Sequence, residues 1–216
     1  MDTEFARRQM LVQQIRAWDV HDLQVLDVMS DVPRENFVPE SFRHLAFADT
    51  GIPIGHGQKM MTPIVEGRML QSLAVAAGDE VLEIGTGSAY ITACLASLAA
   101  SVHSVDIYDD FVSAAAGKLR DSGITNVQLS RMDACEELPS GAFDAIAVTA
   151  TLPRFDPRLV SALRPGGRLF VVVGEPPVQE ARLVVRQDDS GWASKVLFET
   201  RLAPLVNFPV HSKFRF

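Results

Sequence analysis

Cysteine is scarce in this chain. Its 216 residues hold two, Cys94 and Cys135, and five histidines, and none of these falls at metal-ligand spacing. Two unpatterned cysteines exclude a disulfide-stapled scaffold and fit a reducing compartment, so a cytoplasmic location is expected. A chain of this length buries enough core to fold without disulfides or a structural metal. Positive charge is also short. Lys and Arg number 20 against 27 Asp and Glu, a net charge of −7. Phosphate neutralisation needs clustered cations, so no nucleic-acid partner and no anionic-membrane partner is expected. No window approaches the roughly 18 consecutive apolar residues of a membrane-spanning helix. The segment Met1–Arg8 lacks the basic-then-apolar order of a secretory signal. Internal repeats and low-complexity tracts are missing as well. What remains is one domain's worth of chain, 47% apolar.

The apolar pattern changes character along that chain. Leu11, Ile15 and Trp18 follow helical spacing and predict an N-terminal helix. A second short helix is predicted over Leu23–Met29, ending before Val32-Pro33, where the proline disfavours helix at the residue before it. From there to Thr62 the chain reads as a long irregular segment. Such segments inside compact domains are usually functional or disordered, and a functional loop is expected here. Thr62-Pro63 reads as N-cap and first helical position, followed by a stripe of Val65, Met69 and Leu73. From residue 80 onward, strands predicted at Glu80–Ile84, Val102–Asp106, Val127–Ser130, Phe143–Thr149 and Arg168–Val173 alternate with helices near 89–99, 110–122 and 156–163. That alternation predicts an α/β fold with a doubly wound parallel sheet. Ala181–Arg186 and Lys195–Leu202, separated by the turn cluster Asp188-Asp189-Ser190-Gly191, predict an antiparallel edge hairpin.

The chemistry concentrates at the carboxyl ends of three successive strands. Leu82-Glu83-Ile84-Gly85-Thr86-Gly87-Ser88-Ala89-Tyr90 takes a buried strand into a Gly-x-Gly turn that opens a helix. Position 90 is tyrosine, not the third glycine of a dinucleotide site, which argues against a pyrophosphate ligand. Glu83 stands just before the glycines, where a carboxylate meets a ligand cation. Asp106 ends the next strand, about 20 residues on, where such sheets bind a ribose diol. Asp133 follows the third strand, placed to accept from an adenine amino group. Acid, glycine turn, acid and acid fit a cationic nucleoside without phosphate, and S-adenosylmethionine is such a ligand.

These segments resemble the protein-L-isoaspartate O-methyltransferases, a branch of the S-adenosylmethionine-dependent methyltransferases, from about Arg8 to Val206. The likeness lies in Val32-Pro33-Arg34-Glu35-Asn36-Phe37-Val38-Pro39, in Ile52-Pro53-Ile54-Gly55-His56-Gly57-Gln58, and in the glycine turn. It continues in Ser104-Val105-Asp106, Phe143–Ala150 and Arg201–Val206. The resemblance implies a Rossmann-like methyltransferase sheet, mostly parallel with an antiparallel C-terminal edge hairpin, plus an N-terminal helical segment. It implies a single domain over 1–216: N-terminal helices and substrate loop over 1–62, a cofactor-binding core over 63–175, and a C-terminal hairpin and tail over 176–216. The implied activity is carboxyl O-methylation of isoaspartyl residues in damaged proteins, a protein-repair reaction with S-adenosyl-L-methionine as cofactor. Cofactor-binding positions are Glu83, Gly85, Thr86, Gly87, Ser88, Asp106, Ile107, Asp133 and Ala134. Substrate-loop positions are Ile54, His56 and Gln58.

Some positions depart from the family pattern. Ala89 stands where glycine is usual, Asp106 replaces a more usual Glu, and Asp133-Ala134 replaces Asp-Gly. The family's Gly-Gln-Thr-Ile-Ser-x-Pro reads Gly57-Gln58-Lys59-Met60-Met61-Thr62-Pro63 here. Met61 therefore takes the position of the serine linked to catalysis, and methionine donates no hydrogen bond. Thr62, the neighbouring hydroxyl, is the second candidate catalytic position. This change leaves two alternatives beside isoaspartyl methylation: a methyltransferase with another acceptor, or a non-catalytic S-adenosylmethionine-binding module.

Overall fold

The computed structural model describes residues 3–188 and 191–209. The elements run α1 (Thr3–Gln9), α2 (Leu23–Asp31), β1 (Pro53–Gly55), β2 (Gln58–Lys59), α3 (Pro63–Leu73), β3 (Glu80–Ile84), α4 (Tyr90–Leu98), β4 (Ser101–Asp106) and α5 (Asp109–Asp121). They continue with β5 (Val127–Arg131), β6 (Phe143–Leu152), α6 (Arg158–Ser161), β7 (Leu163–Glu175), β8 (Val178–Asp188) and β9 (Gly191–Glu199). Seven strands form one sheet in the order β5-β4-β3-β6-β7-β8-β9. Pairing is parallel from β5 to β7 and antiparallel from β7 to β9. The chain leaves β3 toward one edge and returns through β6 toward the other. The switch point of this doubly wound sheet therefore lies between β3 and β6, where open α/β sheets bind ligands. No helix among the described residues is long and apolar enough to cross a membrane.

Several boundaries differ from the sequence expectation. The predicted N-terminal helix breaks into α1, a wider π-helical turn over Met10–Ile15 and a 3₁₀ turn over Arg16–Trp18. The change of pitch breaks the expected stripe. Met10 and Ile15 are buried while Trp18 is 55% exposed. The last strands run longer than predicted because β7 begins at Leu163 and β8 at Val178, immediately after Pro176-Pro177. The predicted helix near 156–163 is a single turn. Residues 189 and 190 of the hairpin turn lie outside the described residues, as do Phe214 and Phe216.

The irregular segment from 32 to 62 is ordered by an ion pair. Arg34 is fully buried and Glu66, in the first turn of α3, is 1% exposed. The guanidinium meets the carboxylate in a fork, Nε to Oε2 at 2.9 Å and Nη2 to Oε1 at 3.0 Å. Two more of its donors reach the carbonyls of Ala46 and Met61. Burial pushes the Glu66 carboxyl up and Arg34 pulls it back. The Arg34 ring of partners closes with Tyr90, whose ring centroid lies 5.4 Å from the guanidinium carbon. Loss of one partner leaves a buried charge alone, which costs about 3–5 kcal/mol. Glu66→Leu is expected to lose stability in that range by urea unfolding, and the double variant Arg34→Met/Glu66→Leu to lose less. A single-variant loss below about 1 kcal/mol, the scale of an exposed pair, would show that the pair is not the anchor of this segment.

Candidate active site

Gly85 is fixed by its neighbours. Its N–H donates to the Val105 carbonyl at 2.9 Å, and its φ is +101°. A Cβ there would sit 2.2 Å from Thr149 Oγ1 on β6. That hydroxyl in turn donates to the Gly85 carbonyl at 2.7 Å. Only glycine fits this turn. Gly87, at φ +49°, donates its N–H to Asp106 Oδ2 at 2.9 Å. The other oxygen of Asp106 accepts from the Tyr108 N–H at 3.0 Å. Asp106 thus ties the glycine turn to the start of α5. Each of its oxygens has capacity for one more donor, as a carboxylate offers about four acceptor sites. Burial pushes its carboxyl up, and the backbone donors oppose that.

Glu83 lies behind the turn, fully buried. Register places it beside Ser104 of β4. Its Oε2 accepts from Thr92 Oγ1 at 2.5 Å and Ser104 Oγ at 2.6 Å, while Oε1 is buried without a partner among the described residues. Burial pushes this carboxyl up to about 8. The two hydroxyls oppose the shift but do not cancel it.

Two connected hollows meet at this turn. A cleft of about 590 Å³ lies over the carboxyl ends of β3, β4 and β6. Ile54, Gln58, Gly85, Gly87, Asp106, Ile107, Asp133 and Ala134 all line it. A smaller notch of about 320 Å³ is lined by Ile54, Met61, Glu83, Gly85, Thr86, Gly87 and Ser88. The structure therefore brings together all the predicted site residues except Thr62 and His56. Thr62 lines neither hollow; it sits at the N-cap position of α3 but its side chain makes no capping bond. His56 turns away onto α5. Its Nε2 sits 2.9 Å from Asp110 Oδ2 and its ring stacks on Tyr108 with centroids 3.9 Å apart. The imidazole holds the Asp110 carboxyl below the usual carboxylate range. Asp133 accepts from the Cys135 N–H at 2.9 Å and from Asn207 Nδ2 at 2.6 Å.

Sequence reasoning missed three contributors. Tyr108 and Phe111 form the outer wall of the cleft. Pro204, Leu205 and Val206 form another, clipped to β6 by Leu205 N–H to the Thr151 carbonyl at 2.9 Å. Lys59 lines both hollows. An aromatic residue two positions after the strand-end acid Asp106 was a usable signal for Tyr108; nothing local marks the 204–206 segment as a wall.

A parallel sheet with an acid-lined cleft at its switch point, a Gly-x-Gly turn and a buried carboxylate with a spare oxygen defines an S-adenosylmethionine-dependent methyltransferase. The spare Glu83 oxygen and the acceptor-rich walls suit a ligand with cationic groups and donor hydroxyls, so the residues present fit this cofactor. The family model for protein-L-isoaspartate(D-aspartate) O-methyltransferase matches residues 6–208, and the chain belongs to that family. It is 38% identical over 208 residues to protein-L-isoaspartate O-methyltransferase 1 of Rhodopseudomonas palustris, covering 94% of this chain and 85% of the relative. It is 38% identical over 206 residues to the protein-L-isoaspartate O-methyltransferase of Ectopseudomonas mendocina, covering 94% and 97%. A family structure from Plasmodium falciparum in complex with S-adenosyl-L-homocysteine shares the fold. Its TM-score is 0.81 at 21% identity, over 92% of this chain and 97% of that one.

Two outcomes follow from this geometry. Asp106→Ala is expected to weaken S-adenosylhomocysteine binding ten- to a hundredfold by calorimetry, since a hydrogen bond to a charged group contributes about 1.5–3 kcal/mol. An unchanged dissociation constant would reduce Asp106 to a strand-end acid. The second concerns pH. Glu83 ionises near 4.5 when exposed and near 8 in the fold. Between those values the native state holds the extra proton, so raising the pH costs the ligand-free protein up to about 1.4 kcal/mol per unit. Urea midpoints measured from pH 5 to 8 should fall with pH in the wild type and flatten in Glu83→Gln. An identical slope in both proteins would place the titrating group elsewhere.

Proposed function

We propose that this chain methylates the α-carboxylate of isoaspartyl residues in damaged proteins, as a repair enzyme in the cytoplasm. The observation that carries the reading is the acid-lined cleft over the glycine turn, in a chain that belongs to the isoaspartyl methyltransferase family. The relatives' names support the acceptor. The two free cysteines support the compartment. The whole of 1–216 is read as one methyltransferase domain, with N-terminal helices and substrate loop over 1–62, a cofactor-binding core over 63–175 and a C-terminal hairpin and tail over 176–216.

Each site residue then has a role. Asp106 takes the ribose hydroxyls, and the backbone of Gly85–Ser88 allows close approach. Glu83 faces the cationic amino-acid end. Ile107, Asp133 and Ala134 surround the base. Ile54 and Gln58 roof the cleft, and Met61 borders the point of transfer. S-adenosylmethionine, when bound, supplies an electrophilic methyl on a positively charged sulfur. An acceptor oxygen lone pair would take that methyl, with the carbon–sulfur bonding pair staying on sulfur. No proton moves. An α-carboxylate has a reference pKa near 3.5 and is ionised at neutral pH, so no general base is required. The protein's task is alignment and exclusion of water. Met60 and Met61, 5% and 6% exposed, seal the floor of the notch. Transfer from methyl-labelled cofactor to an isoaspartyl peptide, compared with its aspartyl twin, tests the reading. Base-labile label on the isoaspartyl peptide alone is the expected result; bound cofactor with no transfer to it would overturn the proposal.

A further inference from the structure

Acceptor and site present a conflict of charge. The acceptor is an anion, yet the cleft it must enter is walled by the carboxylates of Asp106 and Asp133. Arg34 is fully buried and committed to Glu66 and to the carbonyls of Ala46 and Met61. The Met61 thioether donates nothing, and Thr62 lines neither hollow.

Lys59 is the one basic residue that lines either hollow among the described residues, and it lines both. It ends the short strand β2, opposite Pro53. Its stem lies along Gly51, where an added Cβ would sit 3.5 Å from Lys59 Cδ. The next residue is pinned, with Met60 N–H donating to the Ile52 carbonyl at 2.8 Å. The strand therefore holds the base of the side chain at the junction of cleft and notch. Lys59 is exposed. Its ammonium has no hydrogen-bond or ion-pair partner among the described residues. Lys118 shows the contrast: its ammonium is held by the carbonyls of Phe37 and Ser88 at 2.9 and 3.1 Å.

We propose that Lys59 is the specificity-determining anchor of the acceptor carboxylate, pairing with the anion at the junction of the two hollows. The proposal rests on the carboxylate acceptor of the preceding reading and takes over the recognition that a hydroxyl at position 61 would supply. Its kinetic signature follows from the charge. The carboxylate is fully anionic when it binds, partly so during transfer, and neutral as the methyl ester. Lys59 therefore binds the reactant at least as strongly as the transition state. Such an interaction lowers KM without raising kcat, and it lets the neutral product go.

The test compares wild type, Lys59→Met and Lys59→Arg. Affinity for an isoaspartyl peptide is measured by fluorescence anisotropy on protein loaded with S-adenosylhomocysteine, and kcat and KM are measured on the same peptide. Lys59→Met should weaken peptide affinity and raise KM about ten- to a hundredfold, with kcat within threefold of wild type. Lys59→Arg should recover most of the affinity. Added salt should weaken peptide binding in the wild type and have little effect in Lys59→Met, because ion pairs at exposed sites are screened. Equal peptide affinity in wild type and Lys59→Met would overturn the proposal. So would a large gain in kcat/KM from Met61→Ser with no effect at Lys59. Lys59-dependent peptide binding without methyl transfer would uphold the anchor and overturn the isoaspartyl reading instead.

Discussion

The salt bridge between Arg34 and Glu66 ties the segment that covers the site to the first turn of α3. Removing both charges from water is costly, and the cost is offset only when the geometry is good and the remaining donors are satisfied. Here a two-toothed contact and two backbone carbonyls meet that condition. One of those carbonyls belongs to Met61, so the pair reaches directly from the first turn of α3 to the floor of the notch. The segment between residues 32 and 62 carries only short regular pieces, 3₁₀ turns over Arg34–Asn36 and Glu40–Leu45 and the β1–β2 pair. Arg34 adds donors to the carbonyls of Ala46 and Met61. Lys118, from α5, does the same for Phe37 and Ser88, and so couples this cover to the glycine turn.

The site beneath that cover is electrostatically asymmetric. Glu83 is buried with one oxygen unpartnered, Asp106 is occupied by two backbone donors, and Asp133 by one backbone and one side-chain donor. Acceptors outnumber donors throughout, which suits a cationic nucleoside and disfavours phosphate. The same asymmetry disfavours an anionic acceptor, and Lys59 is the local answer to it. The two requirements meet where the cleft and the notch join, with Met61 and Gly85–Ser88 on one side and β2 on the other. His56 packs onto α5, with its Nε2 on Asp110 and its ring stacked on Tyr108.

Much of this architecture is written in local pattern. Short apolar runs set the central strands β3 and β6, because strands buried on both faces need continuous apolar sequence, while β5 at the sheet edge is only partly buried. The glycines of the turn and the acids at the strand ends are visible because backbone geometry and ligand chemistry each demand a residue type at a fixed place. Glu83, Gly85, Asp106 and Asp133 could therefore be named from the chain alone. The N-terminal stripe failed because a π-helical turn over Met10–Ile15 changes the number of residues per turn, and Trp18 leaves the core. Thr62 was placed correctly at the start of α3, but whether its hydroxyl caps the helix depends on a rotamer that no spacing encodes. The sequence by itself determined the sheet, the cofactor class and the residues at three strand ends, since these follow from periodicity and from chemistry local to each turn. Only the tertiary structure decided that Arg34 pairs with Glu66, that Pro204–Val206 walls the cleft, and that Lys59 is the one basic residue lining it among the described residues. Each is a contact between segments distant in sequence, set by how the chain folds back on itself and not by any local run of residues.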